Sequence, residues 1–199
     1  MIALFFGCYV FVFSTIAFGV STFSPDVFPL LAPGAYHGAA VIAPSLMFAF
    51  VADGVMRISG IGAELAKRTT IWAVVSLTHV AVAFPLTWVL LPRLGILGAA
   101  IALLLASLVA TIVCHALVQR VFPLSLPVWR ALFVIVAGSI GATTIVATTH
   151  GGAVSVALRL AATAVFGAIA FRIFRLDLAT LRAVARGVPP STETLQASV

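Results

Sequence analysis

Thr69–Pro92, TTIWAVVSLTHVAVAFPLTWVLLP, and Leu94–Gln119, LGILGAAIALLLASLVATIVCHALVQ, are separated by Arg93 alone and contain no Asp, Glu, Lys or Arg. A hydrocarbon core about 30 Å thick is crossed by roughly 20 residues of helix. Each stretch is therefore long enough to cross once, and Pro92–Gly95 between them allows only a tight antiparallel connection. Neither stretch shows the alternation of a membrane strand, and lipid gives the backbone no partner outside its own segment. Helix is the expected conformation, and an outer-membrane barrel is rejected.

The pattern recurs on both sides of this hairpin. Uncharged runs cover Met1–Pro25, Val27–Ala52 and Ala131–Leu158, and a shorter apolar segment, Ala153–Phe171, holds Arg159 in its first half and closes on Arg172. With 63% hydrophobic and 8% charged residues, against about a quarter charged in soluble domains, a soluble domain is excluded. The chain reads as an all-α integral membrane protein. One bundle of six transmembrane helices is predicted over 1–173, an amphipathic interfacial helix over 174–186 and a disordered tail over 187–199.

The net charge of +6 does not point to nucleic acid, because the basic residues lie between apolar runs instead of on one patch. Their distribution orients the chain. With the N-terminus on the cytoplasmic side, Arg57, Lys67, Arg68, Arg120, Arg130, Arg172, Arg175, Arg182 and Arg186 fall on or near the inner face, against Arg93 and Arg159 on the outer. That bias places both termini inside. Arg172, Arg175, Arg182 and Arg186 beside the stripe Phe174, Leu178, Leu181 and Ala185 form the interfacial helix expected on an anionic leaflet. Cys8 and Cys114 both fall within spans, so neither a disulfide framework nor a metal site is expected. No basic residue precedes the first apolar run, which is therefore read as a retained helix and not as a signal peptide.

The first span is predicted from Ile2 to Thr22, with an outer loop over Phe23–Tyr36 that holds Pro25, Asp26, Pro29, Pro33 and Gly34. The second runs from His37 to Ser59, and Pro44 inside it frees the carbonyl of Ala40 and is expected to kink it. The third, Thr70–Leu91, carries Pro85 near its outer end, where another bend is expected. The fourth, Ile96–Val118, repeats Ala102, Ala106 and Ala110 at a spacing of four, a packing seam for close helix approach. The fifth is Ala131–Thr149, and the sixth repeats Ala153, Ala157 and Ala161. Trp72, Trp88 and Trp129 fall near span ends, as an aromatic belt does.

No hydrolase elbow, phosphate-binding loop or paired metal-ligand spacing is present, so neither an enzyme nor a cofactor is expected. The candidate binding residues are the ionisable groups inside the spans. Asp53 and Arg57, four apart on one helix, are either a cavity-facing charge pair near the inner mouth or an ion pair that caps the helix exit. His79 lies near the middle of its span, where it lines a polar path or bonds to a neighbouring backbone. Arg159 lies about 9 Å below the start of the sixth helix. Snorkelling outward is its favoured disposition, against pointing into the bundle toward an anionic group.

The stretch Leu91-Pro92-Arg93-Leu94-Gly95-Ile96-Leu97-Gly98-Ala99-Ala100-Ile101-Ala102 resembles the hairpin motif of bacterial polysaccharide flippases: P, two residues, G, two residues, GAA, one residue, A. Phe28–Tyr36, with Gly34 and Tyr36, is similar to the outer loop those proteins carry two helices earlier. These flippases belong to the multidrug, oligosaccharidyl-lipid and polysaccharide exporter superfamily. The resemblance runs from the first span to the sixth and implies the C-terminal of two bundles around a central cavity. It further implies export of a lipid-linked oligosaccharide across a bacterial inner membrane for polysaccharide, including lipopolysaccharide, biosynthesis. Family members are about twice this length, so a fragment, a truncated product or a half-transporter that needs a partner bundle is expected. In the motif, Gly95 and Gly98 permit a tight turn, and Ala99 and Ala100 permit close packing. Two further readings are a non-transporting scaffold subunit that binds partners through the alanine stripes, and a multidrug antiporter of the same superfamily, for which Asp53 is the candidate coupling acid.

Overall fold

The structure, a computed structural model, describes residues 2–31, 40–123, 126–148 and 153–174. Among the described residues seven helices follow in order: α1 (Ile2–Leu31), α2 (Ala43–Ser59), the short α3 (Ile61–Leu65), α4 (Thr70–Leu94), α5 (Ile96–Gln119), α6 (Val128–Thr148) and α7 (Ala153–Ile173). Six segments are long and apolar enough to cross a membrane, and no strand occurs among the described residues. The protein is an all-helical, multi-pass membrane protein. The interfacial helix expected over 174–186, apart from Phe174, the tail over 187–199, and Pro33, Gly34 and Tyr36 of the expected outer loop lie outside the described residues.

The predicted bounds of the first two spans are corrected at their prolines. Helix α1 does not stop at Thr22 but continues through Pro25 to Leu31, and Pro44 does not kink α2 but sits in its first turn, where a missing N–H is harmless. One side chain repairs both gaps. Pro25 has no N–H for the carbonyl of Ser21, and Pro44 has none for that of Ala40. The buried hydroxyl of Ser24 shares its one proton between the two carbonyl oxygens, at 2.7 Å and 2.9 Å respectively. Ser24 thereby ties the end of α1 to the residues entering α2. Ser24→Ala is expected to lower stability by about 1 kcal/mol, read as a lower thermal midpoint of the detergent-solubilised chain. An unchanged midpoint would mean that water satisfies the two carbonyls.

The bundle is built around α2, which packs on α1, α5 and α6, while α7 lies on α1 and α4 rests mainly on α5. Apolar area alone does not drive such contacts in lipid, so close packing and interhelical hydrogen bonds must hold them. Thr111 donates to the Ala52 carbonyl at 3.2 Å and the Cys114 thiol to that of Met56 at 3.6 Å, so α5 and α2 run parallel. Ala102, Ala106 and Ala110 are fully buried, and Ala110 packs with Ile71 and Val75 of α4. Helices α1 and α7 cross through a reciprocal, antiparallel pair of small-residue motifs: Thr15 faces Gly167 and Gly19 faces Thr163. Both threonine hydroxyls bond within their own helix, to Phe11 and Arg159 carbonyls at 2.7 Å and 2.8 Å, which leaves their methyl groups to the interface. Beside this crossing the rings of Phe18 and Phe166 stack at 4.4 Å, and Phe48 of α2 meets Phe166 edge-on.

The predicted Pro92–Gly95 turn contracts to one residue. Helix α4 runs unbroken past Pro85 and Pro92 to Leu94, and Gly95 alone reverses the chain with φ 61° and ψ −146°. Three residues on, a Cβ at Gly98 would stand 2.4 Å from the carbonyl oxygen of Leu90. Gly95 thus supplies the conformation of the turn and Gly98 the space for it.

Candidate functional site

The contacts Tyr9 to Gly54, Ser24 to Ala40, Thr15 to Gly167 and Leu90 to Gly98 fix the helix directions. They define a proximal end, where α1 starts, and a distal end, where it finishes. At the distal end Arg159 does not snorkel outward. It is the largest fully buried side chain described, and its guanidinium donates to the carboxylate of Asp26. This is the one ion pair among the described residues that join two helices. The two members differ in exposure, 1% for the Arg159 side chain and 42% for that of Asp26. Asp26 was placed in a loop by its sequence, yet the extension of α1 through Pro25 carries it against α7.

Near the proximal end, α2 turns Ala49, Ala52 and Met56 toward its neighbours and leaves Phe50, Asp53 and Arg57 on a different stripe. Phe50 and Arg57 are exposed and Asp53 is half-buried. No ion pair joins Asp53 to Arg57 among the described residues. Oδ1 of Asp53 is buried without a hydrogen-bond partner, and the Tyr9 hydroxyl lies directly over the adjoining Gly54, where a Cβ would stand 1.6 Å from it. A carboxylate oxygen in that state is an acceptor available to a proton, a cation or a hydroxyl of a bound molecule.

His79 lies on α4 with Nε2 buried and unpartnered, and Oγ of Ser107 on α5 is likewise buried and unpartnered. The four predicted binding residues are therefore not brought into one cluster. Asp53 and Arg57 share a proximal stripe of α2, His79 belongs to the α4–α5 hairpin, and Arg159 is locked to α1 at the distal end. Between α1 and α7 an open groove of about 610 Å³ is walled by Phe11, Thr15, Thr163, Gly167 and Phe171, with Arg172 at its proximal end. Its apolar walls and terminal cation suit an acyl or prenyl chain that ends in an anionic group.

Two functional features escaped sequence reasoning. Asp26 is the first; of the acidic residues among those described, Asp26, Asp53 and Glu64, it is the one that shares the distal end with Arg93 and Arg159, and that charge complementarity was the available signal. The second is the Thr15/Gly19 and Thr163/Gly167 crossing. The sixth span holds two small-residue registers, and the one singled out from sequence, through Ala157 and Ala161, is exposed. No family model, no curated protein and no solved structure matches the chain, and its functional reading rests on its own residues.

Proposed function

We infer that the chain is one helical bundle of a transporter that flips a lipid-linked oligosaccharide across a bacterial inner membrane, acting with a second bundle. The observation that carries this reading is the α4–α5 hairpin. Four residues of the resemblance have a physical task there: Gly95 makes the reversal, Gly98 admits Leu90, and Ala100 and Ala102 are buried behind them. The proximal end is assigned to the cytoplasm, because Arg57, Lys67, Arg68, Arg120, Arg130 and Arg172 gather there against Arg93 and Arg159 at the distal end. The substrate carries phosphate, and an arginine fork is the side chain best suited to it. The Phe50, Asp53 and Arg57 stripe of α2, exposed at Phe50 and Arg57, forms the cavity wall near the inner mouth, with Arg57 first to meet the substrate's phosphate.

Alanine at both Arg57 and Arg159 in the assembled transporter is expected to reduce flipping at least about tenfold, since each loss removes a charge-assisted hydrogen bond. Flipping at the native rate would overturn the reading. A second reading, a cation-coupled multidrug antiporter of the same superfamily, is favoured by the buried, unpartnered Oδ1 of Asp53. Coupling to a cation gradient that is lost in Asp53→Asn, with no response to lipid phosphates, would select it. The scaffold reading is left with the exposed Ala157 and Ala161 of α7, because the α5 stripe is used inside the chain.

A further inference from the structure

The last turns of α1 carry two ties on either side of Pro25. Ser24 holds the segment to the entrance of α2, and Asp26 holds it to α7. Pro25 between them removes one helical hydrogen bond, which makes this the segment of α1 that bends at least expense. Below it, the Gly19 to Thr163 contact packs α1 directly on α7.

The Asp26–Arg159 pair is built asymmetrically. The guanidinium is almost wholly enclosed, and the carboxylate is close to half exposed. The pair is therefore reached from outside through its acid. A guanidinium keeps its proton under all ordinary conditions and offers a planar fork of donors, so in this enclosure it requires an anion. The carboxylate, in contrast, lies open at the bundle surface two residues from the end of the apolar segment Ile2–Phe28, where it can turn toward the headgroups and water of the interface. Carboxylate and phosphate both accept the same two-pronged contact from an arginine, and phosphate brings more charge and more oxygens.

We propose that Arg159 is an anion-exchange site in which the Asp26 carboxylate is the resident occupant and the phosphate of a lipid phosphate is the one that displaces it. The inference rests on the flippase reading for its class of ligand. Exchange releases the end of α1 from α7 while the Thr15–Gly167 and Gly19–Thr163 contacts stay packed and act as the pivot. Binding of the substrate's phosphate is thereby linked to loosening of the bundle at its distal end, and an empty transporter stays latched.

The test uses the full chain in detergent, titrated separately with farnesyl diphosphate, farnesol and inorganic pyrophosphate. Removal of a resident competitor raises apparent affinity by the fraction of sites it occupied. Asp26→Asn is expected to bind farnesyl diphosphate about tenfold more tightly than the native chain, and adding Arg159→Met is expected to abolish the gain. Farnesol binding should be unmoved by either change. A gain for farnesyl diphosphate alone assigns the site to a lipid headgroup, and an equal gain for pyrophosphate assigns it to free phosphate chemistry. No gain in Asp26→Asn, or a gain that survives Arg159→Met, overturns the proposal. Should Asp26→Asn fail to fold, spin labels at the exposed positions Val27 and Leu158 test the native pair. Their separation should lengthen with farnesyl diphosphate and not with farnesol, and an unchanged separation at saturation refutes exchange. A transporter that flips its substrate without the affinity gain defeats the exchange site alone. A chain that shows the gain and flips nothing defeats the transport reading alone.

Discussion

Asp26→Ala is expected to destabilise the bundle by about 3 kcal/mol, and Arg159→Met added to it is expected to restore most of that loss. The argument is one of asymmetry. Arg159 is enclosed by α1 and α7 with its side chain 1% exposed, and a guanidinium cannot escape by losing its proton. Taking away the carboxylate deprives the guanidinium of this counter-charge in a place closed to the surface. The reverse change is milder. In Arg159→Met the remaining Asp26, at 42% exposure and two residues from the end of the apolar segment Ile2–Phe28, can turn to the membrane interface, so a loss nearer 1 kcal/mol is expected from the missing interaction alone. Methionine is long, flexible and apolar, and fills the space of an arginine stem. The ordering to be measured by thermal midpoints in one detergent is native, then Arg159→Met close to the double variant, then Asp26→Ala well below. If Asp26→Ala were no worse than Arg159→Met, the guanidinium would have a route to water, and the snorkelling disposition favoured by the sequence would be right.

That ordering also shows where a sequence stops being readable. Thr69–Pro92 and Leu94–Gln119 could be assigned as helices because lipid leaves an uncharged stretch of that length one way to satisfy its backbone. The argument needs no neighbours. The disposition of Arg159 does need them, since a charge in a span either reaches the interface or finds a counter-charge, and the linear pattern does not say which. Asp26 was misplaced for a local reason. Pro25 and Pro29 are strong breakers in a soluble helix, but in a membrane helix a nearby hydroxyl can serve the orphaned carbonyl, and Ser24 does so for the Ser21 carbonyl opposite Pro25. Pro44 opens α2 instead of kinking it, and the Ala40 carbonyl ahead of that helix is met by the Ser24 hydroxyl.

The small-residue stripes show the same division. Spacing of four identifies a face that permits close approach, and on α5 the face through Ala102, Ala106 and Ala110 is indeed buried. On α7 two such faces compete, Ala157/Ala161 and Thr163/Gly167, and helix rotation decides between them. That rotation is set by contacts from α1, far away in sequence, in particular by Thr15, Gly19 and the Phe18 ring stacked on Phe166. The Asp53 and Arg57 pair is a third case. Their spacing puts them within reach of one another, yet Arg57 turns outward, and Asp53 is left beside Tyr9 with one oxygen unpartnered.

Gly98→Ala is expected to be the most damaging single methyl group that can be added to the α4–α5 hairpin, with a loss of about 2 to 3 kcal/mol. Its Cβ would stand 2.4 Å from the carbonyl oxygen and 2.6 Å from the carbonyl carbon of Leu90. Both are backbone atoms, so no rotamer change relieves the contact and the helices must part. Because α4 rests mainly on α5, little else holds it in place, and the damage should concentrate there. Faster amide hydrogen exchange along Ile71–Leu94, with α1 and α6 unchanged, is the expected signature. Two other glycines calibrate the effect. Gly95→Ala meets nothing within 4 Å, but its φ of 61° and ψ of −146° suit no L-residue, for a loss of about 1 to 2 kcal/mol. For Gly54→Ala the nearest atoms all belong to the Tyr9 side chain, which can rotate aside, and this change should be the mildest of the three. Should Gly54→Ala prove worse than Gly98→Ala, the close approach of Leu90 to Gly98 is not what holds the hairpin together, and the account of its motif fails with it.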